Sequence, residues 1–379
     1  MKSKKRMASL LMGAALMGMT AGGCGSQIKD DAVFATLDDT KITMGVANFF
    51  AKYEQAAFDS MYLSYFGENM WSNDLYGNGN TLTEDVKSDV AEELQEMYLL
   101  KAHMEEYKVS LTEEEEKAIE KAADDFLAAN TKEAIRQIGA ENRENVLEML
   151  RLRTIENKMH ERIIQDADTT VTEEEAAQRT FSYMEIGIGP HTDEDSNQVE
   201  YTDEEKAQFK AAAESISKAE DFETAVTEAG YTVTQASYGS AEDDDSIFDK
   251  AVLEAADKLK EGEVSGVVEA ENSYYVLRLD SEHDEEATKA KKEELIEEKQ
   301  NDYYNDLVDG WKEAAKWKIN EKEWEKVTFE DHFARSAEEE TETPEEAVSP
   351  EGASDAQSTE EAGEPSEGTE ESVETTEAK

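Results

Sequence analysis

Residues 258–279, KLKEGEVSGVVEAENSYYVLRL, decide the fold. They read as the tail of a helix running into Gly262, followed by two short β-rich runs, Val264–Val268 and Tyr274–Leu279. The polar stretch Glu269–Ser273 separates the runs, so the pattern predicts a hairpin. Tyr274 and Tyr275 stand side by side on the second run, where aromatic residues suit a half-buried pleated surface. Two readings are open at this point: a hairpin that closes a small sheet, or the edge of a peptide-binding site.

Upstream, FSYMEIGIG (181–189) predicts a strand and residues 202–218 and 221–230 predict helices. YTVTQASYG (231–239) predicts another strand, and 246–259 a helix that leads into the hairpin. The order β–α–α–β–α–β–β makes an α+β unit with an antiparallel sheet over residues 176–285.

On either side the periodicity is helical. AVFATLDDTKIT (32–43) reads strand–turn–strand, and 44–66 carries Val46, Phe49, Phe50, Tyr53, Phe58 and Tyr62 at helical spacing. Thr81 with Glu84, Thr112 with Glu115 and Thr172 with Glu175 have capping-box spacing and predict helix starts. Residues 140–164 predict a further helix. The region 24–175 is therefore expected to be mainly helical. A charged helix from 289 to near Trp317 opens the region 286–335, followed by WKINEKEWEKVTF (317–329). Trp311, Trp317 and Trp324 need apolar partners, and the helical region is the largest supplier.

The two ends have other compositions. Lys2, Lys4, Lys5 and Arg6 precede the apolar run MASLLMGAALMGMT, the pattern of a signal peptide over residues 1–23. That run is too short to span a bilayer, which takes about 20 apolar residues. Cys24 follows as the only cysteine. It has no internal disulfide partner, and TAGGCGS is similar to a lipobox whose cysteine receives a diacylglyceryl group, with Ala21 where leucine is usual. Plain secretion with a free thiol is the other reading. Residues 336–379 are Glu, Ser, Thr, Ala, Gly and Pro with little to bury, and predict a disordered acidic tail.

The chain has 379 residues, with 92 Asp and Glu against 38 Lys and Arg, a net charge of −54. That balance excludes phosphate-backbone binding, which requires clustered cations, so no nucleic-acid partner is expected. The run Asp243-Asp244-Asp245 lacks the alternate spacing and central glycine of a calcium loop. No phosphate loop or His/Cys cluster is found in the sequence, so neither metal nor cofactor is expected.

The order of these parts resembles a known family. A leader and lipobox, then VFATLDDTKITMGVANFFAKY, a helical region containing VSLTEEEEKAIEKAADDFLA, an inserted α+β domain and a returning helix–strand are similar to extracytoplasmic foldase lipoproteins. In that family a parvulin-type peptidyl-prolyl isomerase domain is inserted into a helical chaperone domain. Leu259, Gly262, Glu263, Val264 and Ser265 match the turn that ends the parvulin domain. The resemblance implies a membrane-anchored, extracytoplasmic foldase acting on unfolded, newly exported polypeptides, with a second copy of the chain as a further candidate partner. It places the family's two histidines at Ser182 and Tyr275, and peptide-binding positions at Phe248, Val252 and Leu259. None of the five histidines falls on a motif position, so weak or absent isomerase activity is expected. Phe49, Phe50 and Tyr53 are the candidates for a client-binding cleft in the helical domain, because the helix is apolar around more than one stripe. A non-catalytic holdase and a surface or solute-binding lipoprotein are the competing functions.

Overall fold

The computed structural model describes residues 16–18, 28–192, 197–239, 247–330 and 332–335. Most of the leader, Cys24, Asp243–Asp245 and the tail 336–379 lie outside the described residues. Strand β1 (Leu16–Gly18) pairs antiparallel with the last strand, at Phe333–Arg335.

The first half is built on a hairpin and a set of helices. Strands β2 (Val33–Leu37) and β3 (Thr40–Thr43) meet at Asp38, whose φ of 49° is the left-handed conformation a tight turn demands. Helices α1 (Met44–Phe66), α2 (Leu82–His103), α3 (Glu113–Ala129), α4 (Lys132–Gln137) and α5 (Arg143–Ile163) follow. All three Thr/Glu pairs form reciprocal capping boxes, at the starts of α2, α3 and the one-turn α6 (Glu173–Ala176). Each cap satisfies backbone N–H groups that the first helical turn leaves unpaired.

The second half is a four-stranded antiparallel sheet, in the order β7-β4-β9-β8. Its members are β4 (Arg179–Gly187), β7 (Thr234–Tyr238), β8 (Val268–Glu269) and β9 (Ser273–Ser281). A small ladder of β5 (His191–Thr192) and β6 (Gln198–Val199) follows β4. Helices α7 (Asp203–Ile216) and α8 (Phe222–Glu228) pack on the face carrying Met184, Ile186, Tyr274 and Val276. Helix α9 (Lys250–Asp257) packs on the other face, with Phe181, Leu277 and Leu279.

The turn at 259–265 shows why the motif needs its residues. Gly262 takes φ 79°, and its N–H reaches the Leu279 carbonyl at 2.7 Å. The Glu263 carboxylate accepts the Lys260 N–H at 2.9 Å. Ser265 is buried, and its hydroxyl accepts the Leu277 N–H at 2.9 Å, taking the place of a ladder carbonyl. Of the two expected β-runs, Val264 makes only an isolated bridge to Arg278, and the strand proper starts at Val268.

Helix α10 (Glu285–Ala314) returns to the first half. It begins before the expected 289 because the Asp284 side chain caps it, accepting the Glu286 and Ala287 N–H groups. Strand β10 (Trp317–Ile319) then pairs with β2, the short α11 (Glu321–Trp324) follows, and β11 (Phe333–Arg335) ends the described chain. Trp311 stacks on His103 at 3.9 Å between ring centroids. Trp324 and Trp317 pack on Phe34 at 4.6 and 6.1 Å.

Candidate functional site

The residues that the sequence assigns to a proline-binding pocket lie on β4, β9 and around α9. Strand alternation decides which of them can share a site, because successive side chains point to opposite faces. Tyr183 and Tyr275 share the α9 face, with ring centroids 6.0 Å apart. Phe248 stands between them and the core, 5.1 Å from Tyr183, 6.4 Å from Tyr275 and 5.3 Å from Phe181. These contacts are edge-on, the geometry aromatic quadrupoles prefer.

Ser182 faces the other way. It is buried, and its hydroxyl donates to Asp280 Oδ2 at 2.5 Å, beside Gln235, which donates to the same oxygen at 3.1 Å. The pairing of Ser182 with Tyr275 as one site therefore does not hold: the two positions lie on opposite faces of the sheet. Tyr183 is the β4 residue beside Tyr275. The alternation itself carries the missed signal, since Met184 and Ile186 both face α7 and α8 and so leave Tyr183 to the α9 side.

Phe248, Val252 and Leu259 gather in the cluster behind the tyrosines. Val252 is wholly buried and shapes the floor, while Phe248 is half-buried and presents its ring. Leu259 packs from the turn, its carbonyl accepting from Arg179 at 3.2 Å. Arg179 also pairs with Asp257 at 3.0 Å, and Tyr238 donates to the same carboxylate oxygen at 2.9 Å, fixing the rear wall.

Glu185 is the polar residue of this face that the sequence reading did not single out. It lies opposite Tyr275 in the register and accepts from Ser273 Oγ at 2.6 Å. The Tyr275 phenol is pushed well above its ordinary value, first by burial and then by its hydrogen bond to Glu185 and that carboxylate's charge. The Tyr183 phenol is raised too, by burial and by Glu185. Both hydroxyls therefore stay protonated at neutral pH, as donors and not as bases. The arrangement can stack an apolar ring against three aromatic faces. Of its two phenol donors, that of Tyr275 is already committed to Glu185.

In the helical half, Phe49 and Phe50 do not line a cleft. Both are fully buried, Phe49 against Phe126 at 6.0 Å, and neither offers surface to a client. Tyr53 is half-buried and packs against the same core. The apolar residues in the first half of α1 are spent on neighbours from α2, α3 and α5. Among the described residues no group of three or more His, Cys, Asp or Glu side chains is placed to hold a metal, and no helix is long and apolar enough to cross a membrane.

Residues 189–293 match the family of PPIC-type PPIase domains. The foldase protein PrsA of Clostridium botulinum strain Langeland is 28% identical over 137 residues, covering 35% of this chain and 38% of that protein. The protein of the same name from the Loch Maree strain is 34% identical over 84 residues, 21% of this chain and 25% of that one. The chain thus spans well under half the length of these relatives. Among solved structures, the foldase PrsA of Lactococcus lactis is 14% identical with a TM-score of 0.32, covering 77% of this chain and 96% of that chain. The peptidylprolyl isomerase PrsA of Bacillus cereus is 20% identical with a TM-score of 0.29, covering 65% and 91%. Over residues 189–293 the chain is similar to PPIC-type PPIase domains, and part of it is similar to foldase proteins PrsA.

Proposed function

We propose that the protein is an extracytoplasmic foldase that holds unfolded, exported polypeptides, anchored to the membrane through a lipid on Cys24, with weak or no prolyl isomerase activity. The observation that carries the catalytic part is that Tyr275, where the resemblance implies a histidine, lies beside Tyr183 on the central strands, while Ser182, the other such position, is on the opposite face. Rotation about an X–Pro bond faces a barrier of about 18–20 kcal/mol. Lowering it requires polar groups free to stabilise the twisted amide more than the planar one. Here the Tyr275 hydroxyl is engaged by Glu185, so the face can grip a proline ring with one donor fewer to favour its rotation.

The test is a protease-coupled proline-peptide assay beside light scattering of an aggregating client, on the same preparation of the mature chain. A background isomerase rate with suppressed aggregation is the expected pair of results. A rate far above background overturns the catalytic part, and unsuppressed aggregation overturns the foldase reading. For the anchor, Cys24→Ala is expected to move the protein from the membrane fraction to the medium, and an unchanged distribution rules the lipid out.

A second reading, isomerase activity well above background, is favoured by the half-buried ring of Phe248 packed against both tyrosines. It predicts a measurable rate that Phe248→Ala abolishes.

A further inference from the structure

A foldase of this kind needs a surface for non-native chain, and the second half of α1 provides one. While residues 44–51 are buried, the helix emerges from the core after Asp59. Met61 is 50% exposed, Tyr65 82% and Phe66 53%, with Tyr62 at 39% beside them. Spaced at i, i+1, i+4 and i+5, these four share one side of the helix. Tyr76, 62% exposed, stands in the loop before α2, near enough to Tyr62 for that phenol to act on its own. Exposed large apolar side chains are ordinary when scattered, but gathered on one surface they mark an interaction site.

Both parts of this surface are held rigidly. Its rings continue a file that starts in the core: Phe329 to Trp71 at 4.5 Å, Trp71 to Phe58 at 5.8 Å, Phe58 to Tyr62 at 5.8 Å and Tyr62 to Phe66 at 6.3 Å. The Trp71 indole N–H donates to the buried Asp59 carboxylate at 2.8 Å and fixes the inner end. The loop bearing Tyr76 is tied at two points. Asp74 accepts the backbone N–H groups of Asn78 and Gly79 at 3.2 and 2.9 Å, and Asp85 accepts the side-chain amides of Asn78 and Asn80 at 3.1 and 3.0 Å.

The flank is acidic. Asp85, Asp89 and Glu92 follow one another at i, i+4 and i+7 along α2. Burial raises the Asp89 carboxyl above its ordinary range, and Glu92 and Asp85 add to the effect. The Tyr76 phenol is raised by burial and then by Asp89 and Asp85, so these charges act on the aromatic surface itself. Lys87, the cation of the same stretch, is turned to the carbonyls of Trp324 and Val327.

We propose that Tyr62, Tyr65, Phe66 and Tyr76, with Asp89 and Glu92 at their edge, bind segments of non-native polypeptide in which apolar residues alternate with Lys or Arg. Aromatic faces attract ammonium and guanidinium groups, and the carboxylates reinforce that choice. The same charge repels the other occupants at hand. A second copy of a chain at −54, its own acidic C-terminal residues and an anionic lipid surface all bring negative charge to a negative rim.

The inference rests on the foldase reading and is tested separately from it. The probe is a fluorescein-labelled unstructured peptide of Leu, Phe, Gly and Lys, with a twin carrying Glu for Lys, titrated by anisotropy against the mature full chain. The Lys peptide is expected to bind at least about 10-fold more tightly than its twin. Tyr65→Ser with Phe66→Ser is expected to cost about 10-fold in its affinity. Asp89→Asn with Glu92→Gln is expected to narrow the preference and flatten its salt dependence. Equal affinity for both peptides, or undiminished binding by the Tyr65/Phe66 variant with an unchanged circular-dichroism spectrum, overturns the proposal. So does sedimentation showing that this variant splits a dimer while peptide affinity holds, which makes a second copy the occupant. If the wild-type chain neither binds peptide nor suppresses aggregation, the foldase reading itself has failed.

Discussion

The Tyr183 and Tyr275 rings face each other across neighbouring strands at 6.0 Å, while Ser182, one residue from Tyr183, is hydrogen-bonded to Asp280 on the opposite face. A catalytic pair must straddle one substrate, so the sheet's alternation selects Tyr183 with Tyr275. Replacing both by His is expected to raise the proline-peptide rate by about 100- to 1,000-fold, the scale of one positioned polar group. Ser182→His with Tyr275→His is expected to leave the rate at background. It also forces a ring into the buried space that Ser182 occupies beside Asp280, at a cost of about 1–3 kcal/mol in urea unfolding. A gain from the second pair and none from the first would refute the assignment.

Asp284 links the sheet to the long return helix. It caps α10 and accepts the Thr180 hydroxyl at 2.7 Å, while its own N–H reaches the Gln178 carbonyl at 2.8 Å. Thr288 Oγ1 accepts the Gln178 N–H at 3.0 Å, so the chain entering the sheet and the chain leaving it are stitched together. Asp284→Ala is expected to cost about 1 kcal/mol near pH 7, as lost caps do. The N–H groups of Ala287 and Glu286 and the Thr180 hydroxyl hold the carboxyl below its ordinary 3.8. A depressed folded value stabilises above the unfolded value and loses that contribution as pH falls through the folded one. The gap between wild type and Asp284→Ala should thus close below about pH 4. A gap that stays constant down to pH 2.5 shows that the charge plays no part.

Much of the fold was legible because its signals are local. Each Thr/Glu pair made its capping box, and the Gly262–Ser265 turn made the hydrogen bonds its residue types allow. What the sequence hid was facing. A resemblance aligned by motif placed a histidine position at Ser182, and only the register between β4 and β9 shows which side of the sheet that is. Likewise Phe49 and Tyr65 look alike on α1. The first is buried by α3 and the second meets solvent, a difference set by long-range packing that periodicity does not encode. Glu185 was passed over because a lone strand carboxylate carries no pattern until Ser273 and Tyr275 are seen beside it.

Gly139 ends α4 at φ 76°, and a Cβ there would lie 2.4 Å from the Asn48 side-chain nitrogen. The Gly139 carbonyl also accepts from Asn145 at 3.3 Å, so the backbone has little freedom to move aside. Gly139→Ala is expected to destabilise by about 1–2 kcal/mol, the cost of a left-handed non-glycine residue, with more if Asn48 is displaced. Urea unfolding monitored by circular dichroism measures it. A change within 0.5 kcal/mol, the ordinary scatter of surface substitutions, contradicts the strain argument.

Phe34 ties strand β2 to the returning segment 317–324. Its ring is fully buried, 4.6 Å from Trp324 and 6.1 Å from Trp317, and its carbonyl accepts the Asn320 N–H at 2.7 Å. Strand β10 pairs with β2 directly alongside. Removing the ring leaves a cavity that two tryptophans and the hairpin cannot all collapse into. Phe34→Ala is therefore expected to cost about 3–5 kcal/mol. Because both indoles lose the same neighbour, tryptophan emission should shift to the red before far-ultraviolet ellipticity is lost, and proteolysis should cut first within 315–330. If instead the returning segment only rests on the surface, the cost stays below 1 kcal/mol and cleavage is no faster than in the wild type. The two outcomes differ because residues 317–329 bring Trp324, Val327 and Phe329 into the core of the helical half. The segment beyond the sheet domain then completes the helical half, and the two sequence regions are expected to unfold as one cooperative body.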